Sequence, residues 1–213
     1  MKVGILGSGQ VGQALGRGFV SRGHETMIGS RGPDKLSDWV DEMGDGASAG
    51  TFEDAAEFGE LVVFAALGSA AEEIIELAGR PAFEGKVVID AMNPLKFDGP
   101  PPPSLFVGWD DSLGERVQGW LPDARVVKAF NIVGNAQMVD PDFPDGPPTM
   151  LICGNDGDAK RTVTEICESF GWEVADLGTI ECSRALEEIC MAWVYYGFAS
   201  GGSWDHAFKL LRK

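Results

Sequence analysis

The chain has 213 residues, with 17 lysines and arginines against 33 aspartates and glutamates, a formal net charge of −16. That length suits one α/β domain with a small appendage, and that charge disfavours nucleic acid and anionic membrane surfaces as partners. No apolar run reaches the ~20 residues of a membrane helix, and Met1-Lys2 leads straight into Val3-Gly4-Ile5-Leu6 rather than a signal peptide's apolar stretch, so a soluble, cytoplasmic chain without a membrane partner is expected.

Short apolar runs, each followed by a small-residue turn and a segment of helical period, recur along the chain. Strands are predicted at Lys2–Leu6, Glu25–Ile28, Leu61–Ala66, Lys86–Asp90, Arg125–Ala129, Thr149–Cys153 and Glu173–Asp176, with a weak one at Ala47–Gly50. Their consecutive Val, Ile and Leu residues suit strands covered on both faces. Helices are predicted at Val11–Ser21, Lys35–Glu42, Phe52–Glu57, Ala70–Ala78, Ser112–Leu121 and Ala159–Phe170. Asp158 stands where the last of these needs an N-cap, and Gly171 where it should stop.

Two stretches break the pattern. Pro94 to Asp111 contains four consecutive prolines, Pro100 to Pro103, which exclude helix and central strand and predict a polyproline-like surface loop, either a spacer or a lid over a substrate site. At the other end, Ile189, Cys190, Met191, Trp193, Val194, Tyr195, Tyr196 and Phe198 crowd a predicted helix at Arg184–Ala199. A helix this apolar is expected to be buried nearly all round, at a homodimer interface or inside a small C-terminal subdomain.

Gly7-Ser8-Gly9-Gln10-Val11-Gly12 follows the first strand at once and opens the first helix. In that context the three glycines have separate tasks: a tight turn at Gly7, approach of a pyrophosphate at Gly9, and close helix–strand packing at Gly12. The helix N-terminus supplies N–H groups and a favourable dipole. The fold class expected is therefore α/β, a Rossmann-type doubly wound parallel sheet over residues 1–180 with a small helical part over residues 181–213.

An acidic residue at the end of the second strand would bind the ribose hydroxyls of NAD. None is there; the strand runs into Gly29-Ser30-Arg31, with Lys35 close behind. A hydroxyl, a guanidinium and an ammonium suit a ribose 2′-phosphate, so NADP(H) is the expected cofactor.

Ligands of open parallel sheets lie outside the carboxyl ends of the strands. There the sequence offers Leu67 and Gly68, small enough to let a dinucleotide pass, then Asn93 and Pro94, then Ala129 and Asn131 after Lys128. Asn93 has the chemistry to hydrogen-bond a ribose or carboxamide, and Ala129 leaves room for a flat ring. Lys128 is the nearest ionisable group and reads as a structural ion pair. His24 and His206 are badly placed for proton transfer, and no catalytic residue is assigned. The four cysteines make no CxxC, so local spacing supplies no metal site and free buried thiols are expected. Such a site suits hydride transfer between a nicotinamide and a second flat redox ring more than acid–base chemistry.

The chain resembles the F-420-dependent NADP oxidoreductases. The likeness rests on Gly7 to Gly12, on His24-Glu25 leading to Gly29-Ser30-Arg31, and on Val126-Val127-Lys128-Ala129-Phe130-Asn131. It continues through Cys153-Gly154-Asn155-Asp156 before Lys160 and through Ser183-Arg184-Ala185-Leu186-Glu187. The same set is similar to the oxidoreductase domain of the six-transmembrane ferric reductases. The resemblance implies NADPH held by the glycine motif with Ser30, Arg31 and Lys35, usually a homodimer, and a second ring near the residues after Ala129 and the C-terminal segment; the first reading is hydride transfer with coenzyme F-420, a flavin or another small electron acceptor. Two other readings remain at this point. One is an NADPH-binding redox sensor without turnover. The other is an imine or 2-oxo acid reductase, for which the ~60 residues after Cys153 are a short C-terminal domain.

Overall fold

A computed structural model describes residues 1–213. The chain alternates β1 (Lys2–Leu6), α1 (Gln10–Ser21), β2 (Glu25–Gly29), α2 (Ser37–Met43), β3 (Ala47–Gly50), α3 (Phe52–Phe58), β4 (Leu61–Phe64), α4 (Ala71–Ala78) and β5 (Val87–Asp90). It continues through β6 (Leu95–Lys96), β7 (Ser104–Leu105), α5 (Leu113–Trp120), β8 (Arg125–Lys128), β9 (Thr149–Gly154), α6 (Gly157–Ser169), β10 (Glu173–Asp176) and α7 (Ser183–Ala199). Eight strands form one sheet in the order β10-β9-β8-β5-β4-β1-β2-β3. The six strands from β8 to β3 in that order are parallel, giving the expected Rossmann-type centre. β9 pairs antiparallel with β8, and β10 is parallel to β9. The mixed edge follows from residues 129–148, which contain a 3-10 turn but no α-helix to carry a crossover.

Residues of the central strands alternate between two apolar layers, as the two-residue period of a strand requires. Val3, Ile5, Val63, Ile89 and Val127 pack with Leu15, Phe19, Trp39, Val163 and Phe170 on the face covered by α1, α2 and α6. Leu6, Val62, Phe64, Val88 and Val126 pack with Ala55, Ile74, Ile75 and Val117 on the face covered by α3, α4 and α5.

The structure also departs from the sequence reading. The α6 N-cap is Asp156, whose side chain accepts the Ala159 N–H, rather than Asp158; Gly171 follows the helix with φ 92°, as a terminator should. The proline loop is bounded by a two-strand antiparallel ribbon, β6 with β7, which places Pro100 to Pro103 at its tip. α7 is buried on one side through Leu186, Cys190, Trp193 and Val194, whereas Tyr195, Tyr196 and Phe198 are exposed. Cys182 is half-exposed, the other three cysteines are buried, and all four are free. No helix is long and apolar enough to cross a membrane.

A buried ion cluster joins α7 to the sheet. Lys128 at the end of β8 donates to Asp90 at the end of β5 (2.9 Å) and to Glu187 of α7 (2.7 Å), and all three side chains are shielded from water. Burial alone would lower the lysine's pKa; the two carboxylates outweigh it and hold the ammonium above its ordinary value. Burial pushes the Glu187 carboxyl up, opposed by Lys128. Glu187 also accepts the N–H groups of Leu113 and Gly114, each at 3.0 Å, at the start of α5. Helix-terminal amides thus absorb the cluster's excess negative charge.

Lys128→Met leaves two carboxylates facing each other in the interior. It is expected to lower stability by about 3–5 kcal/mol, measured by urea unfolding; a loss below about 1 kcal/mol would contradict the role given to the cluster.

Candidate active site

β1 ends at Leu6, and Gly7 turns the chain with φ 139°, a conformation open to glycine. A side chain there would collide with the Ala65 carbonyl, and one at Gly12 with the Gly7 carbonyl. These two contacts draw α1 tight against β1 and β4. At Gly9 an added Cβ meets nothing within 4 Å, because this residue faces an open cleft. Gly9 is also the N-cap of α1, and no side chain caps that end, leaving its amides and the positive pole of the helix for an anion.

The cleft, about 520 Å³, lies over the carboxyl ends of β1, β2, β4 and β5. Gly7, Ser8, Gly9, Gln10 and Val11 form its middle, and Ser30, Arg31 and Lys35 its β2 side. Ala65, Ala66 and Leu67 after β4, and Ala91, Met92 and Asn93 after β5, form the other side, with Leu95 and Asn135 beyond. Since β1 lies between β2 and β4, with β5 next to β4, an extended ligand crossing the glycine turn has one end at Arg31 and the other near Asn93.

At the β2 end, Ser30 is buried and its hydroxyl accepts the Gly32 N–H at 3.2 Å. Arg31 is 73% exposed and lies 3.7 Å from Glu73, itself 58% exposed, on the opposite bank. A pair so solvated is weak, and a doubly charged phosphate is a stronger partner for the guanidinium.

Ten of the predicted residues line the cleft: Gly7, Ser8, Gly9, Gln10, Val11, Ser30, Arg31, Lys35, Leu67 and Asn93. Five stand behind it. Gly12 packs under the turn, and Gly68 lets the Asn93 carbonyl come close. The Pro94 carbonyl accepts the Phe106 N–H across the ribbon. Ala129 is fully buried in the sheet core, and Asn131, 3% exposed, bonds to Asn93 and to the Leu186 carbonyl. Phe52, Ala70, Glu73, Ile74 and Leu95 line the cleft without having been foreseen. They arrive from α3, the α4 segment and the ribbon, and no local spacing announces that those elements lean over the strand ends. His24 sits near the amino terminus, 3.4 Å from the Met1 nitrogen, and His206 stacks on Trp193 in the C-terminal tail, so both lie away from the cleft, as expected.

Comparison with known proteins gives the family of the chain. Residues 2–94 match the family model of the coenzyme F-420-dependent NADP oxidoreductases. The F-420-dependent NADP reductase of Methanocaldococcus jannaschii is 30% identical over 201 residues, covering 89% of this chain and 89% of that protein. Metalloreductase STEAP3 of Rattus norvegicus is 29% identical over 188 residues, 88% of this chain, which spans 36% of that protein's length. The crystal structure of a candidate F-420-dependent NADP reductase from Arthrobacter sp. FB24 superposes with a TM-score of 0.94 at 35% identity, covering 100% of both chains.

The glycine turn separates binding from folding in a testable way. Gly9→Val places its side chain in the open cleft, so the variant should melt within a few degrees of the unaltered protein and lose nucleotide binding in a fluorescence titration. Gly12→Val should instead lower the melting temperature, because its side chain meets backbone. Unchanged binding by Gly9→Val would remove the cradle from the account.

Proposed function

The chain belongs to the coenzyme F-420-dependent NADP oxidoreductase family, and on that premise we propose that it passes hydride between NADP(H) and a small acceptor with a flat redox ring, coenzyme F-420 or a flavin. The observation that carries this reading is the joint presence, in one cleft, of an uncapped helix N-terminus behind Gly9 and of Ser30, Arg31 and Lys35 at the end of β2.

The residues present fit the cofactor. The α1 amides after Gly9 suit the pyrophosphate, and the β2 end suits the 2′-phosphate, with no carboxylate at the position that would favour an unphosphorylated ribose. Arg31 also has a planar face to lay on the adenine. Ala65, Ala66 and Leu67 form a low wall along which the dinucleotide extends, and Asn93 offers a donor and an acceptor to the ribose or carboxamide at the far end. When bound, NADP(H) supplies the hydride. The chain's part is to orient that end, to exclude water with Met92, Leu95 and Ala91, and to leave one ring face open to the second substrate.

In this reading residues 1–180 carry the nucleotide, and residues 181–213 pack against that unit and against a second copy. The exposed Tyr195, Tyr196 and Phe198 of α7 support a homodimer, since exposing a cluster of large apolar side chains to water costs free energy that a covering partner recovers. Sedimentation at micromolar concentration should give the mass of two chains; a single-chain mass removes the dimer.

Turnover is tested by following NADPH oxidation with coenzyme F-420, FMN and FAD as separate acceptors. The reading predicts steady turnover with one of them, faster with NADPH than with NADH. Tight NADPH binding without oxidation by any acceptor would overturn the hydride-transfer reading in favour of an NADPH-binding sensor.

A further inference from the structure

Behind the Asn93 corner of the cleft, polar groups form a closed circuit. Asn93 Nδ2 donates to the backbone carbonyl of Asn131 at 2.8 Å, and Asn131 Nδ2 donates to Asn93 Oδ1 at 3.0 Å and to the Leu186 carbonyl at 3.1 Å. Leu186 precedes Glu187, which shares Lys128 with Asp90. The other oxygen of Asp90 accepts the N–H of Met92 at 3.0 Å, and Met92 precedes Asn93. The circuit therefore begins and ends at the same cleft residue, and the charged cluster is part of it.

Two backbone carbonyls settle the orientation of both amides. A carbonyl only accepts, so Asn93 must turn its NH2 toward Asn131, and Asn131 must turn its own toward Leu186. The Oδ1 of Asn131 is thereby left buried and without a partner, a cost that native interiors rarely carry. A second unfavourable feature lies one residue earlier. Phe130 is buried and adopts φ 62°, a conformation bulky residues seldom take; it swings the chain leaving β8 so that Asn131 lies over Asn93. Strain and an orphan acceptor thus coincide at the two residues that aim the Asn93 side chain. Asn93 lies on the cleft wall and Asn131 does not. With these bonds made, the Asn93 amide retains one N–H and one oxygen lone pair for a ligand.

We propose that Asn131 is a positioning residue: it holds the Asn93 carboxamide in one orientation toward the reactive end of the bound nucleotide, and the Lys128 cluster anchors it through Leu186. This rests on the NADP(H) reading of the cleft. In its absence the Asn93 amide keeps the backbone carbonyl of residue 131 as acceptor but loses the donor that fixes its oxygen, while the β2 end, across the glycine turn, is unchanged.

A double-mutant cycle tests the coupling. The unaltered protein, Asn93→Ala, Asn131→Ala and the double variant are titrated with NADPH and with 2′,5′-ADP, which carries the adenosine end alone. Each single change should weaken NADPH about five- to tenfold, the loss of one or two hydrogen bonds, and leave 2′,5′-ADP within about twofold. The double variant should bind NADPH no more weakly than Asn93→Ala, because Asn131 acts through Asn93. Asn131→Leu, which keeps the side chain's size and branching but can donate neither bond, repeats the cycle should the alanine variant melt early. Losses that add, or a parallel fall in 2′,5′-ADP affinity, would overturn the positioning role. Failure of the unaltered protein to bind either nucleotide overturns the cleft reading itself and this proposal with it.

Discussion

An ammonium shared between two carboxylates in a dry interior is the constraint on which the rest of the arrangement hangs. Lys128, Asp90 and Glu187 come from two strands and the C-terminal helix, so their contacts set where α7 meets the sheet. Removing such charges from water is expensive, and the structure offsets the expense with further hydrogen bonds from the start of α5 and from Met92. The cluster sits at the carboxyl ends of β5 and β8, immediately beneath residues that border the cleft. Its rigidity is therefore available to the site as well as to the fold.

The second constraint is local charge. In a chain with a net charge of −16, a phosphate-bearing ligand is repelled by the molecule as a whole, and binding depends on what it meets at short range. The α1 amides supply partial positive charge without a side chain, and Arg31 and Lys35 supply full charges at one end. The weak pairing of Arg31 with Glu73 keeps the guanidinium near the cleft mouth without burying it. On the proposed reading, affinity at the adenosine end rests on a few groups, so a single substitution there is the direct test.

Much of this was legible in the sequence. Runs such as Leu61-Val62-Val63-Phe64 could only be strands covered on both faces, and the glycine motif between a strand and a helix announced the cradle. The step from Gly29 to Ser30 and Arg31, without an acid, pointed to residues that the structure brings to the cleft; the phosphate they are proposed to bind is a separate reading. Lys128 read as a structural ion pair, but its burial was not legible, its partners lie 38 and 59 residues away, and nothing local marks Asp90 or Glu187. The same reason hid Phe52, Glu73 and Leu95. Asp156 and Asp158 both have the chemistry of an N-cap, and geometry alone chose between them. The apolar content of α7 showed that one domain surface would not cover it, but composition does not say which side chains are left out, and only the packing identifies Tyr195, Tyr196 and Phe198 as the exposed ones.

The measurement that bears most directly on the account is the affinity of NADPH and NADH for the unaltered protein and for Arg31→Ala. Arg31→Ala should weaken NADPH by roughly 1.5–3 kcal/mol, the range for a charge-assisted hydrogen bond, and leave NADH nearly as it was. Equal losses for both nucleotides would contradict the assignment of the 2′-phosphate to the end of β2, and with it the NADP(H) reading of the cleft.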